Sequence, residues 1–173
     1  MRLKKLSVNY EINATLRNHQ QKAIEAVEKK DFGVIVAPPN SGKTLVGLKI
    51  ISEKKQPALI IVHRRQLLEQ WCERIESFLG IPKREIGIIG SGKMKIGKQI
   101  TVATIQSLPK YLEDIVERFG TIIIDECHHI PAESFRNTIE KLKTFYLYGL
   151  TATPFRKYND GKIIFTHIGE IIT

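Results

Sequence analysis

Cysteine is scarce in this 173-residue chain: there are two, Cys72 and Cys127, far apart in sequence. That count builds no disulfide framework and no CxxC pair, so a reducing cytoplasm is the expected compartment. Long apolar runs are missing as well. Nothing approaches the roughly 18 residues of a membrane span, and the basic start Met1–Lys5 lacks the apolar stretch of a secretory signal. A secreted or membrane-embedded protein is therefore not expected. Acidic residues are outnumbered, 18 against 27 Lys and Arg, which leaves a net charge of +9. Such a balance favours a polyanionic partner, nucleic acid first. The apolar share, 42%, excludes a disordered or collagen-like chain. The length suits one domain with a substantial core.

What is present is an alternation. Short β-branched runs read as strands at Gly33–Val36, Ala58–Val62, Ile86–Ile89, Ile100–Ala103, Thr121–Ile124 and Phe145–Leu150. Several are apolar throughout, as in Leu59-Ile60-Ile61-Val62, which is the pattern of a strand covered on both faces. Between them the spacing predicts helices over Leu16–Lys29, Lys43–Ser52, Gln66–Leu79, Tyr111–Phe119 and Ala132–Leu142. In the third of these, Leu67, Leu68, Trp71, Ile75 and Phe78 fall on one stripe, so Trp71 reads as core. The order implies βαβ units, hence an α/β fold with a mostly parallel central sheet and helices on both faces. Ligands of such sheets bind beyond the C-terminal strand ends.

Three strand ends stand out. Val36 is followed by Ala37-Pro38-Pro39-Asn40-Ser41-Gly42-Lys43-Thr44, close to the phosphate-binding pattern GxxxxGK[ST] but with Ala37 where the first glycine belongs. Gly42 permits the turn, and amides entering the next helix favour an anion. Lys43 would reach phosphates and the Thr44 hydroxyl would ligate Mg²⁺. Ile124 is followed by Asp125-Glu126-Cys127-His128-His129. An acid ending a buried apolar strand is costly unless it holds a metal or a partner. Asp125 fits a Mg²⁺ organiser, and Glu126 a general base toward water. The plainer reading is a solvated helix start. Zinc on Cys127, His128 and His129 matches tetrahedral spacing poorly. Leu150 is followed by Thr151-Ala152-Thr153-Pro154, by itself an ordinary turn. A look-alike phosphate loop, Gly90-Ser91-Gly92-Lys93, leads into a strand rather than a helix and reads as a basic hairpin-like turn.

In this order, Lys43-Thr44, Asp125-Glu126-Cys127-His128 and Thr151-Ala152-Thr153 resemble motifs I, II and III of superfamily 2 helicases. The second is a DECH variant of the DEAD/DEAH box. Leu16–Ile24 resembles the Q-motif element, Val62–Trp71 motif Ia, and Val102–Leu108 a later nucleic-acid-binding motif. The nearest branch is that of XPB-like repair helicases, type III restriction motors and phage recombination helicases. The resemblance implies an N-terminal RecA-like P-loop NTPase lobe over residues 16–156, preceded by an extension (1–15) and followed by a segment (157–173) leading toward a second lobe that this chain does not contain.

The resemblance also implies roles. Arg17 and Gln20 would meet the adenine of ATP, and Pro39, Asn40, Ser41, Gly42, Lys43 and Thr44 its phosphates. Thr44 and Asp125 would hold Mg²⁺, with Glu126, Asp125 and Lys43 as the catalytic set. His128, Thr151 and Thr153 would couple hydrolysis to movement. Arg64, Thr104 and Gln106 would touch nucleic acid, DNA ahead of RNA. The implied partner is a second RecA-like lobe carrying the arginine finger, without which turnover is expected to be nearly nil. A binding or scaffold module of the same fold with little turnover is the alternative expectation.

Overall fold

The computed structural model describes residues 6–38 and 42–152. Pro39, Asn40, Ser41, Thr153 and the segment 157–173 lie outside the described residues. The strands are β1 (Phe32–Val36), β2 (Ala58–Val62), β3 (Gly87–Gly90), β4 (Lys93–Lys95), β5 (Ile100–Thr104), β6 (Thr121–Ile124) and β7 (Tyr146–Thr151). They form one sheet in the order β1-β7-β6-β2-β5-β3-β4. Every pairing is parallel except β3 with β4. The expected α/β sheet with helices on both faces is thus the observed fold.

The side-chain period of two sorts the core into halves. Ile35, Ala58, Ile60, Val62, Val102, Ile123 and Leu150 face helices α1 (Asn18–Glu28), α2 (Lys43–Lys54) and α3 (Arg65–Leu79). Val34, Leu59, Ile61, Ala103, Ile122, Ile124 and Leu147 face the other layer, whose helices α4 (Leu112–Ile115) and α5 (Ala132–Asn137) are short. β2 is buried at all five positions, as its unbroken apolar sequence requires.

The second layer departs from the periodic reading. The helix expected over Tyr111–Phe119 ends at Ile115, and a 3₁₀ turn with a proline in its first turn, Leu108–Tyr111, precedes it. The helix expected over Ala132–Leu142 stops at Asn137. Thr138 (φ −126°, ψ −66°) leaves the helical region, and a 3₁₀ turn, Ile139–Lys141, follows. The basic turn is a true hairpin: Gly90 pairs with Lys93 across Ser91 and Gly92, both at positive φ (53° and 77°). Two left-handed residues in a two-residue loop match the twist of the strands they join.

The residues ahead of α1 lie along this body. Val8 N–H donates to the Lys55 carbonyl and Asn13 N–H to that of Phe78. The Tyr10 hydroxyl stands 2.7 Å from the Gln56 carbonyl and 2.8 Å from that of Gln99. Burial pushes the Tyr10 pKa well above the usual phenol range.

Ile60, fully buried on the central strand, tests the layer model. Ile60→Ala is expected to cost about 2–5 kcal/mol, since neighbouring strands are held in register and cannot collapse into the cavity. Urea denaturation reads the loss; a change below about 1 kcal/mol would show a loosely packed sheet.

Candidate active site

The C-terminal edge of the parallel strands gathers the polar residues that the strands exclude. β1 leads to the loop before α2, β6 is followed by Asp125, β7 ends at Thr151, and β2 is followed by His63. Gly42 caps α2 in the left-handed region (φ 78°), and a Cβ there would collide with the Gln20 side chain. Gln20 is 3% exposed. Its Oε1 accepts the Arg17 N–H at 2.8 Å and its Nε2 donates to the Gly42 carbonyl at 3.3 Å. Helix α1 is thereby tied to the loop, and Gln20 acts on the loop's backbone as well as bordering the cleft beside it.

Lys43 stands between two carboxylates. Its ammonium lies 3.3 Å from Asp125 Oδ1 and pairs directly with Glu126 Oε1. Asp125 is 3% exposed. Its Oδ2 accepts the indole N–H of Trp71 at 2.8 Å, while its buried Oδ1 has the Lys43 ammonium as its ion-pair partner and, among the described residues, makes no further hydrogen bond. Glu126 sits in the left-handed region (φ 48°, ψ 51°) at the start of a 3₁₀ turn, Cys127–His129. A non-glycine residue held there is strained, and such strain gathers at functional sites. Cys127 is 2% exposed and packs in the core.

Beyond Glu126, the His128 ring turns back onto β7. His128 Nδ1 is 2.6 Å from Thr151 Oγ1 and 3.4 Å from Glu126 Oε2. Of the expected coupling set, His128 and Thr151 are together. His129 stacks on His63 with ring centroids 4.5 Å apart. Burial first, then the His129 and Arg64 charges, hold the His63 pKa below the usual imidazole range, with Asp125 opposing.

Two clefts of about 530 Å³ each meet at Lys43 and Thr44. One is walled by Trp71, Asp125 and Glu126, the other by Arg17, Gln20 and Phe78. Arg74 borders both. Each cleft is of ligand size. Neither Arg74 nor the polar edge of Trp71 is evident in the sequence pattern, because both depend on where α3 lies against α2.

The donor set fits a hard divalent cation such as Mg²⁺. Asp125 Oδ1 is a buried acceptor facing the Lys43 ammonium, the Thr44 hydroxyl lies beside the same cleft, and hard cations take oxygen ligands.

The expected nucleic-acid residues divide. Arg64 is exposed at the N-terminus of α3, and Gln106 is exposed with its Nε2 donating to the His63 carbonyl at 3.1 Å. Thr104 is 7% exposed and its hydroxyl lies 2.8 Å from Ser107 Oγ. Its side chain braces the turn after β5 and does not line the surface.

The family described as type III restriction enzyme, res subunit, matches residues 13–156. The DNA 3'-5' translocase XPB2 of Sulfurisphaera tokodaii is 41% identical over 147 residues, covering 85% of this chain and 32% of that protein. The probable helicase D10 of Escherichia phage T5 is 35% identical over 130 residues, covering 75% of this chain and 28% of its own length. The chain spans about a third of the length of the curated relatives it matches. Among solved structures, the UvsW helicase from bacteriophage T4 matches with a TM-score of 0.79 at 22% identity, over 98% of this chain and 64% of that one. The Sulfolobus solfataricus SWI2/SNF2 ATPase core in complex with dsDNA matches with a TM-score of 0.76 at 23% identity, over 97% of this chain and 38% of that one. At that identity the structural likeness concerns the fold.

The half-buried His63 gives the site a pH signature. Its folded pKa lies below its unfolded value of about 6.5. The unfolded chain therefore takes up this proton first, so stability falls as pH drops below that unfolded value. His63→Asn is expected to flatten the fall of the urea midpoint between about pH 7 and pH 5. Equal slopes in the two proteins would remove His63 from the account.

Proposed function

The chain belongs to the type III restriction enzyme, res subunit, family, and on that premise we propose that it is the ATP-binding first lobe of a superfamily 2 DNA helicase or translocase. The observation that carries this reading is the convergence of Lys43, Asp125 and Glu126 at the mouth of α2, with His128 joined to Thr151 alongside.

The roles follow from the geometry. The amides at the start of α2 and the Lys43 ammonium would bind the phosphates, since a helix N-terminus and a cation both favour an anion. Thr44 and Asp125 would hold Mg²⁺, which when bound neutralises charge on the phosphate oxygens. Glu126 would take the proton of the attacking water, and Lys43 beside it orients its carboxylate. Movement of Glu126 or its turn reaches β7 through the His128–Thr151 bond, which is the element for coupling. Arg17 and Gln20, in the wall of the second cleft, would border the place for the base. Transition-state charge on the transferred phosphoryl needs a cation from a facing lobe, and we infer that turnover depends on that lobe.

DNA is the polymer proposed, because relatives carry names of DNA translocases and helicases and one structural neighbour is described in complex with dsDNA. Arg64 and Gln106 would meet its backbone, beside the histidines that border the acids. Among the described residues no helix is long and apolar enough to cross a membrane. Both cysteines are buried, and a count of two suits the reducing cytoplasm proposed.

Calorimetry with ADP tests the nucleotide site. Lys43→Ala is expected to weaken binding by about 1.5–3 kcal/mol, the worth of a charge-assisted contact. Equal affinity in the two proteins would refute the assignment, and absence of any ADP binding by the unaltered chain would favour a scaffold module.

DNA binding is expected to weaken steeply with salt as neutralised phosphates release counterions. Arg64→Ala should lower affinity across all sequences and reduce the log–log salt slope by about 1. An unchanged slope would move the DNA path away from the start of α3.

A further inference from the structure

Trp71 lies on the apolar stripe of α3, 2% exposed, yet its one polar atom does not face water. The indole N–H reaches across 54 residues of sequence to Asp125 Oδ2 at 2.8 Å. A buried indole N–H needs an acceptor. A buried carboxylate needs donors, and among the described residues this one has the indole N–H on Oδ2 and only the Lys43 ammonium, 3.3 Å away, on Oδ1. The indole also has a prepared seat. Gly47 of α2 is buried, and a Cβ there would stand 3.0 Å from Trp71 Cη2 and 3.2 Å from Leu150 Cδ1. Glycine within a helix costs about 1 kcal/mol relative to alanine. Here it lets the ring lie close against α2, so the N–H has one direction available.

We propose that Trp71 is a positioning residue: its N–H fixes Asp125 Oδ2 so that Oδ1 faces Lys43, Thr44 and the cation of a metal–nucleotide. The inference rests on the proposed nucleotide site. Partners that orient a metal-ligating carboxylate set its affinity as well as its direction. Without the N–H, Asp125 could rotate about its terminal torsion and satisfy the Lys43 ammonium with either oxygen.

Trp71 is the only tryptophan of the chain. Global replacement of tryptophan by β-(3-benzothienyl)alanine therefore changes this position alone. Sulfur takes the place of the N–H while ring shape and packing stay. Two measurements are made on the full chain: ADP affinity with Mg²⁺ and with a chelator, and the thermal midpoint. The expected result is a loss of about tenfold or more in Mg²⁺·ADP affinity, with chelator ADP affinity unchanged and only a small fall in the thermal midpoint from the lost hydrogen bond. Trp71→Phe should show the same dependence on Mg²⁺, with a larger fall in the midpoint because the smaller ring leaves a cavity.

Equal Mg²⁺·ADP affinity in the replaced and unaltered chains overturns the inference and leaves the nucleotide site standing. A parallel loss with and without Mg²⁺, with a lowered midpoint, also overturns it, since that is the mark of packing alone. Failure of the unaltered chain to bind Mg²⁺·ADP overturns the proposed function and this inference together. The bond has its own readout: the single indole N–H resonance should move upfield on Asp125→Asn, and a fixed resonance would show that the bond is not made.

Discussion

A carboxylate held at 3% exposure at the end of a strand of three isoleucines is the constraint that organises this lobe. Desolvating an acid costs several kcal/mol unless donors and a counter-charge replace the water. Asp125 receives an N–H from α3 through Trp71 and a cation from α2 through Lys43. Each of those groups depends on another element. Lys43 follows a left-handed Gly42 whose carbonyl is held by Gln20 of α1, and the Trp71 ring lies against Gly47 of α2. Three helices on one face of the sheet are thus aligned through contacts that lead to one residue. Apolar replacement of a buried ion pair is often neutral or stabilising. Stability alone is therefore a weak reason for this arrangement, and orientation of Asp125 Oδ1 is a better one.

Much of the fold was legible because two-sided burial leaves a strong mark. β2 and β6 are apolar without interruption, and the positions read as strands fall within a residue or two of β1, β2, β3, β5, β6 and β7. The first three helices were legible for the related reason that each covers a broad stripe of sheet. The second layer was not. Its apolar residues, among them Ile115, Phe119, Phe135 and Ile139, recur at helical spacing and are all buried, yet the chain is helical only in pieces. Burial there is reached by short turns docking on the sheet. Spacing does not reveal a residue such as Thr138, where the backbone leaves the helix while its side chain stays 1% exposed.

The site shows the same division. That Lys43, Thr44, Asp125 and Glu126 come together was legible because each lies just beyond a strand end of the parallel sheet. Trp71 was assigned to the core on periodicity, and its ring is there. The polar function of the residue lies in one atom at the ring edge, whose acceptor comes from a distant strand, and no local pattern encodes that. Thr104 failed in the opposite sense. Its hydroxyl suggested a surface contact, but as the last residue of a fully buried strand it faces Ser107. The exposed polar side chain is found two residues on, at Gln106.

The positive charge also divides once positions are known. Lys93 and Lys95 lie exposed on β4, the edge of the sheet, with Met94 between them half-buried. Exposed lysines on a short edge strand keep other chains from pairing with it, so these charges have a sufficient reason apart from nucleic acid. Arg64 and Arg74 differ. Both belong to the α3 region, Arg64 exposed at its start and Arg74 over the clefts at Lys43, with Trp71 buried between them in sequence. A straight helix rises about 1.5 Å per residue, so some 10 Å of one rigid element separates the proposed DNA contact from the indole that holds Asp125. The bond between Trp71 and Asp125 is buried at 2.8 Å, and Arg64 is exposed at the start of the same helix. A rigid shift of α3 along its axis would therefore move the proposed DNA contact and the donor to Asp125 together.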